Sequence, residues 1–94
     1  MDNRHIAEKI LERLGGKGNI RTLGNCYTRV RTEVKDISKC KIEELKKIED
    51  VLGVVVEGNQ VQVVVGPSKS IKIAAELSKI TDLKSMEYDE AEVL

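Results

Sequence analysis

The run Val51 to Glu57, then Gly58-Asn59, then Gln60 to Val65 constrains this chain more than any other feature. Two valine-rich stretches joined by two residues, one of them glycine, predict a β-hairpin, because glycine takes the left-handed backbone that tight antiparallel turns need. A second pair of strand-like runs lies upstream, Ile20 to Leu23 and Arg29 to Val34. Within the second run Val30, Thr32 and Val34 share one face and Arg29, Arg31 and Glu33 the other, since strand side chains alternate. Gly24-Asn25-Cys26 falls between these two runs, which puts Cys26 on or beside their connection.

Helical stripes surround the two pairs. Ile6, Ala7, Ile10, Leu11 and Leu14 recur at helical spacing, Asp2 is placed to cap that helix, and Gly15-Gly16 ends it. Lys17-Gly18-Asn19 is a turn. Asp36 and Ser38 open a polar turn before a short helix carrying Ile42, Leu45 and Ile48. Gly66-Pro67 breaks the last strand, and Pro67 or Ser68 starts a third helix with Ile71, Ala74, Ala75 and Leu77 to Ile80 inward. The expected fold is α+β: a four-stranded antiparallel sheet covered on one face by three helices. Ninety-four residues give one domain, assigned to residues 1–81, with 82–94 an acidic tail or linker. Both aromatic residues are tyrosines, so the core is aliphatic.

Charge and cysteine usage narrow the function. Lysine plus arginine balances aspartate plus glutamate at 16 each, which argues against a nucleic-acid partner, as does a total of only two aromatic residues, both tyrosines, for stacking. The apolar runs are too short to cross a bilayer, so no membrane insertion of this segment is expected. The N-terminal residues do not resemble a secretory signal, and two cysteines without a paired motif suit a reducing cytoplasm. Locally, however, Lys17, Arg21, Arg29, Arg31 and Lys35 stand against Glu33 alone, around one of those cysteines.

The segment Cys26-Tyr27-Thr28-Arg29-Val30-Arg31 is where chemistry concentrates. Positive charge favours the thiolate, the reactive form of cysteine. A phosphoryl group on sulfur needs donors that fit its oxygens, and arginine offers a planar charged fork. Backbone N–H groups of a tight loop supplement it. Taken alone, the hexapeptide fits a buried thiol followed by arginines on a solvated strand face better than it fits a phosphate site. A cysteine phosphatase loop would place its arginine six positions after the cysteine. Here that position is Thr32, inside a strand-like run.

Two separated motifs carry a family resemblance. Gly15-Gly16-Lys17-Gly18-Asn19-Ile20, followed by Asn25-Cys26-Tyr27-Thr28-Arg29-Val30-Arg31 and Val34-Lys35-Asp36, resembles the phosphorylation-site region of IIB domains in the glucose family of phosphoenolpyruvate-dependent sugar phosphotransferase systems. Val51-Leu52-Gly53-Val54-Val55 with Gln60 through Pro67 is similar to that family's glycine-valine turn and glutamine-bearing last strand. Gly24, where many members carry an acidic residue, and the Gln60-Val61-Gln62 run are most similar to N-acetylmuramic acid permeases. The resemblance implies a phosphotransferase domain in which Cys26 accepts a phosphoryl group from a IIA phosphohistidine. It then passes the group to a sugar bound by a membrane IIC domain, with no cofactor or metal. It assigns Thr28, Arg29 and Arg31 to holding and transferring phosphate, and Asn25, Tyr27 and Gln62 to the flanks. It further implies a cytoplasmic domain tethered through IIC, with residues 82–94 leading toward it. Tyr27 is either a docking contact or a half-buried residue closing the loop.

A IIB-like regulatory module that binds without transferring is the alternative. His5 reads as solvated or helix-capping, and Cys40 as incidental. Lys17-Gly18-Asn19 lacks the spacing of a phosphate loop.

Overall fold

The computed structural model describes residues 2–87. In chain order they form α1 (Asn3–Arg13), a 3-10 turn (Lys17–Asn19), β1 (Ile20–Asn25), β2 (Arg29–Val34), a second 3-10 turn (Ile37–Lys39), α2 (Ile42–Leu45), β3 (Gly53–Glu57), β4 (Gln60–Val64), α3 (Lys69–Thr81) and β5 (Ser85–Glu87). The strands make one sheet in the order β3-β4-β2-β1-β5. β1–β2, β2–β4 and β3–β4 are antiparallel, as expected.

The expected four-stranded antiparallel sheet is corrected in two respects. The sheet has five strands, and it is mixed, because β5 pairs with β1 in parallel. Ser85, Met86 and Glu87 lie in the segment that its acidic charge assigned to a tail. Three residues are too few to show an alternating pattern, so nothing in the sequence marks them as a strand. They cover the edge of β1, whose unpaired N–H and C=O groups would otherwise face solvent. Residues 88–94, the rest of the expected tail, lie outside the described residues.

One face of the sheet carries the core. Val30, Val34, Val61 and Val63 are fully buried against Ile6, Ile10 and Leu14 of the first helical stripe and Ile73 and Leu77 of α3. Thr32 shares this face and satisfies its hydroxyl by donating to the Val61 carbonyl at 2.8 Å. The helix-free face carries Arg29, Arg31 and Glu33 from β2. The predicted helix cap is present, with the His5 N–H donating to the Asp2 carboxylate at 2.8 Å, and His5 is exposed. Two strand boundaries differ from expectation. β1 continues through Gly24 and Asn25, and β3 starts only at Gly53.

α1 is locked to the sheet through Gly15 and Asn19. Gly15 has φ 103°, and a Cβ there would stand 2.8 Å from Asn19 Nδ2 and 3.1 Å from Lys39 Cβ. Gly15→Ala combines left-handed strain with that clash, so it will destabilise by about 2 kcal/mol or more, read by urea unfolding. A loss below about 0.5 kcal/mol would contradict this packing. The buried Asn19 side chain donates to the carbonyls of Leu14 at 2.8 Å and Asp36 at 3.0 Å, and accepts from the Asp36 N–H at 2.9 Å.

Candidate functional site: the Cys26 turn

β1 ends at Asn25 and β2 starts at Arg29, so Cys26, Tyr27 and Thr28 form the whole connection. The Cys26 N–H donates to the Arg29 carbonyl at 3.0 Å. Tyr27 and Thr28 are therefore a two-residue turn closed by the expected nucleophile and the first expected arginine. The strand pairing that produces this turn also sets the arginines. Arg31 stands directly across from Gly24 on β1 and from Gln62 on β4, in one row on the helix-free face. Gly24 has no side chain, so this chain sets no carboxylate against Arg31 from that position.

Gln62 is buried, and its Oε1 accepts from Arg29 Nη1 at 2.8 Å. The guanidinium of Arg29 thus crosses diagonally over β4 and is held by a neutral amide. Arg31 lines a shallow depression on the same face with Thr22, Glu33 and Gln60. Glu33 is drawn sideways to Arg21 at 3.9 Å.

The flanking residues are placed differently from one another. Asn25 is buried, and its Nδ2 lies 3.4 Å from the Cys26 carbonyl while its Oδ1 accepts from the Ser85 hydroxyl at 3.3 Å. It ties β5 to the turn. Tyr27 is 61 % exposed, so it does not close the loop. Cys26 is only 3 % exposed. Cys40, by contrast, sits at the opposite end of β1, where its thiol donates to the Leu14 carbonyl at 3.3 Å. Burial first, and the Asp36 carboxylate second, push that thiol above the usual cysteine range.

Three groups at the turn escape a reading of the sequence. The Ser70 hydroxyl of α3 is fully buried beneath it, 2.9 Å from the Cys26 carbonyl and 2.8 Å from that of Tyr27. The Val65 and Gly66 N–H groups both donate to the Thr28 carbonyl at 3.0 Å. The inward stripe of α3 is Ser70, Ile73, Ala74 and Leu77, whereas Ile71 and Ala75, expected inward, are exposed, so the face expected from the sequence is turned away from Ser70.

The fold recurs in a solved structure. The crystal structure of one domain of the PTS system IIabc component from Clostridium difficile superposes with TM-score 0.82 at 30% identity, covering 94% of this chain and 90% of that one. The chain belongs to the phosphotransferase-system EIIB family. The family model described as phosphotransferase system, EIIB matches residues 8–40, the part that contains the Cys26 turn and β2. Curated EIIB-containing relatives agree. The N-acetylmuramic acid-specific EIIBC component of Pasteurella multocida is 46% identical over 79 residues, covering 84% of this chain and 16% of that protein. The MurNAc-GlcNAc-specific EIIBC component of Staphylococcus aureus strain USA300 is 38% identical over 81 residues, covering 86% and 16%. This EIIB chain therefore spans about one sixth of the length of the curated relatives it matches. Among the described residues, no helix of the EIIB fold is long and apolar enough to cross a membrane.

Proposed function

We propose that this EIIB domain is a cysteine phosphoryl carrier. Cys26 accepts a phosphoryl group from a phosphohistidine of a IIA domain and passes it to a sugar held by a membrane IIC domain. The observation that carries the reading is the closed turn: Cys26 pairs with Arg29, and Arg29 is aimed by the buried Gln62 amide at 2.8 Å. Family membership and fused EIIBC relatives support the placement. The domain works at the cytoplasmic side, tethered to IIC by the chain after β5. Relatives named for N-acetylmuramic acid support a sugar of that N-acetylated class.

In the first step Cys26 Sγ attacks phosphorus, the N–P bond breaks as the S–P bond forms, and the thiol proton leaves with the departing imidazole. In the second, a sugar hydroxyl attacks phosphorus, the S–P bond breaks, the O–P bond forms and Cys26 is restored. Its hydroxyl proton goes to a base on the acceptor side. Such transfers ask a protein mainly for position and charge. Arg29 and Arg31 supply charge to the phosphoryl oxygens, and the Thr28 hydroxyl and turn N–H groups supply shorter contacts. Tyr27, Leu52 and Ile71, exposed at 61 %, 74 % and 49 %, surround this end of the sheet with apolar surface suited to a docking protein. Because Cys26 is buried in the unpartnered chain, docking must uncover its sulfur before the first step.

Arg29→Lys keeps charge and loses the fork, so it will retain acceptance from IIA within a few-fold. It will slow single-turnover transfer to sugar by roughly 10²–10³-fold. Gln62→Ala will cost less, roughly 10-fold, since Arg29 survives without its guide. These rates are read with membranes carrying an N-acetylmuramic acid-specific IIC domain. Native rates in both Arg29→Lys and Arg31→Lys would refute the arginine roles. Stable phosphorylation with no transfer to any sugar would favour the regulatory module.

A further inference from the structure

Tyr27-Thr28 is a two-residue connection made without the residues such turns rely on. Turns of this length match the strand twist when their central residues take positive φ, which glycine and asparagine supply. The non-glycine positive φ angles among the described residues are at Asp50, Ser68 and Asp82. Tyr27 and Thr28 keep ordinary backbone angles, and support comes instead from outside the hairpin.

That support is the corner between β4 and α3. Gly66, with φ 96°, and Ser68, with φ 61°, swing the chain so that Ser70 arrives under the turn. A left-handed serine is an uncommon conformation, so the corner is shaped against local preference. Ser70 shares one proton between the Cys26 and Tyr27 carbonyls, from a position with no solvent exposure. Both peptide planes are thereby turned carbonyl-inward. Neither is cis, and in a planar trans peptide the N–H points opposite to the C=O. The N–H groups of these two planes belong to Tyr27 and Thr28, and they are directed away from the core. Two successive N–H groups on one side make a concavity for an anion.

We infer that Ser70 is a positioning residue for phosphoryl transfer at Cys26, fixing the two peptide planes whose Tyr27 and Thr28 N–H groups receive the phosphoryl oxygens. The inference rests on the carrier reading above. It assigns Ser70 no contact with the phosphoryl group, only control of the groups that make it.

The test compares the whole chain with Ser70→Ala and Ser70→Thr. Acceptance from a phosphorylated IIA donor is followed at saturating and limiting donor, with amide NMR spectra before and after. Ser70→Ala lowers kcat roughly 10- to 100-fold with KM for the donor unchanged, because a misplacement of about 1 Å is enough for that loss. The Tyr27 and Thr28 amide shifts that follow phosphorylation of the wild type shrink in this variant. Ser70→Thr keeps the hydroxyl but crowds a fully buried site, so it is the less stable variant and the faster one. A purely structural role predicts the reverse order of rates. If Ser70→Ala does not fold, Ser70→Cys, close in size and a weak donor, takes its place. Wild-type phosphorylation with an unchanged kcat and unchanged amide shifts in the variant overturns the role of Ser70 alone. A wild type that accepts no phosphoryl group overturns the carrier reading and this inference together.

Discussion

Cys26→Ser will take phosphoryl uptake from one group per chain to below roughly one chain in a hundred. A few per cent of an ordinary cysteine is thiolate at neutral pH, and thiolate is a strong nucleophile, whereas a serine hydroxyl needs an adjacent base. The turn residues Cys26-Tyr27-Thr28 include no histidine or carboxylate, and the chain's single histidine, His5, is at the start of α1 with its backbone N–H donating to Asp2. Serine keeps the size of the side chain and the Cys26 backbone bonds to Arg29 and Ser70, so the fold will survive and the loss will be chemical. Cys40→Ser is the matched control. Cys40 lies at the far end of β1, roughly 17 Å away for six residues of strand, and burial, with the Asp36 carboxylate second, pushes its thiol above the usual cysteine range. Uptake in Cys40→Ser will equal that of the wild type. Radiolabelled phosphoenolpyruvate with the general phosphotransferase proteins and a IIA donor reads both variants. Uptake by Cys26→Ser at more than a tenth of the wild-type rate would remove the sulfur from the mechanism.

The second large effect is on stability. Asn19→Ala strips three bonds at once and leaves the Leu14 carbonyl, the Asp36 carbonyl and the Asp36 N–H without their partner. Leu14 is fully buried, and an unsatisfied buried group costs about 1–3 kcal/mol. A total near 3 kcal/mol is a large share of the stability of a domain this size, about 5–15 kcal/mol. The melting temperature will fall by more than about 10 °C. Asn19→Asp will be no better, since an oxygen replaces the Nδ2 that donates to both carbonyls. A thermal melt followed by circular dichroism checks both. A shift under about 3 °C would mean that Asn19 is not the lock between α1 and the sheet.

Most of the fold was legible because its elements follow strong local rules. The alternation of Val30, Thr32 and Val34 against Arg29, Arg31 and Glu33 is a period-two pattern, and the observed burial of β2 repeats it. Asp2 and Gly15-Gly16 bracket α1 as cap and stop. The fifth strand was not legible, because Ser85–Glu87 is stabilised by the exposed edge of β1 and by the Ser85–Asn25 bond, which are tertiary features. β1 ran past its expected end because pairing with β2 overrides the turn preference of Gly24-Asn25.

The site divides in the same way. Cys26, Thr28, Arg29 and Arg31 stand in one motif and were read from it. That Arg29 would lean on Gln62 depends on a register between residues 33 positions apart, and that Ser70 would sit under the turn depends on the angle at which α3 leaves Gly66. Neither is encoded locally. Tyr27 left two readings open, and its exposure favours the outward one.

The most direct test is intact mass measurement with peptide mapping after incubation with phosphoenolpyruvate, the general phosphotransferase proteins and a IIA donor. The account predicts one phosphoryl group per chain, carried on the peptide that contains Cys26. No phosphoryl group with several competent donors, or one mapped to Cys40 or His5, would contradict it.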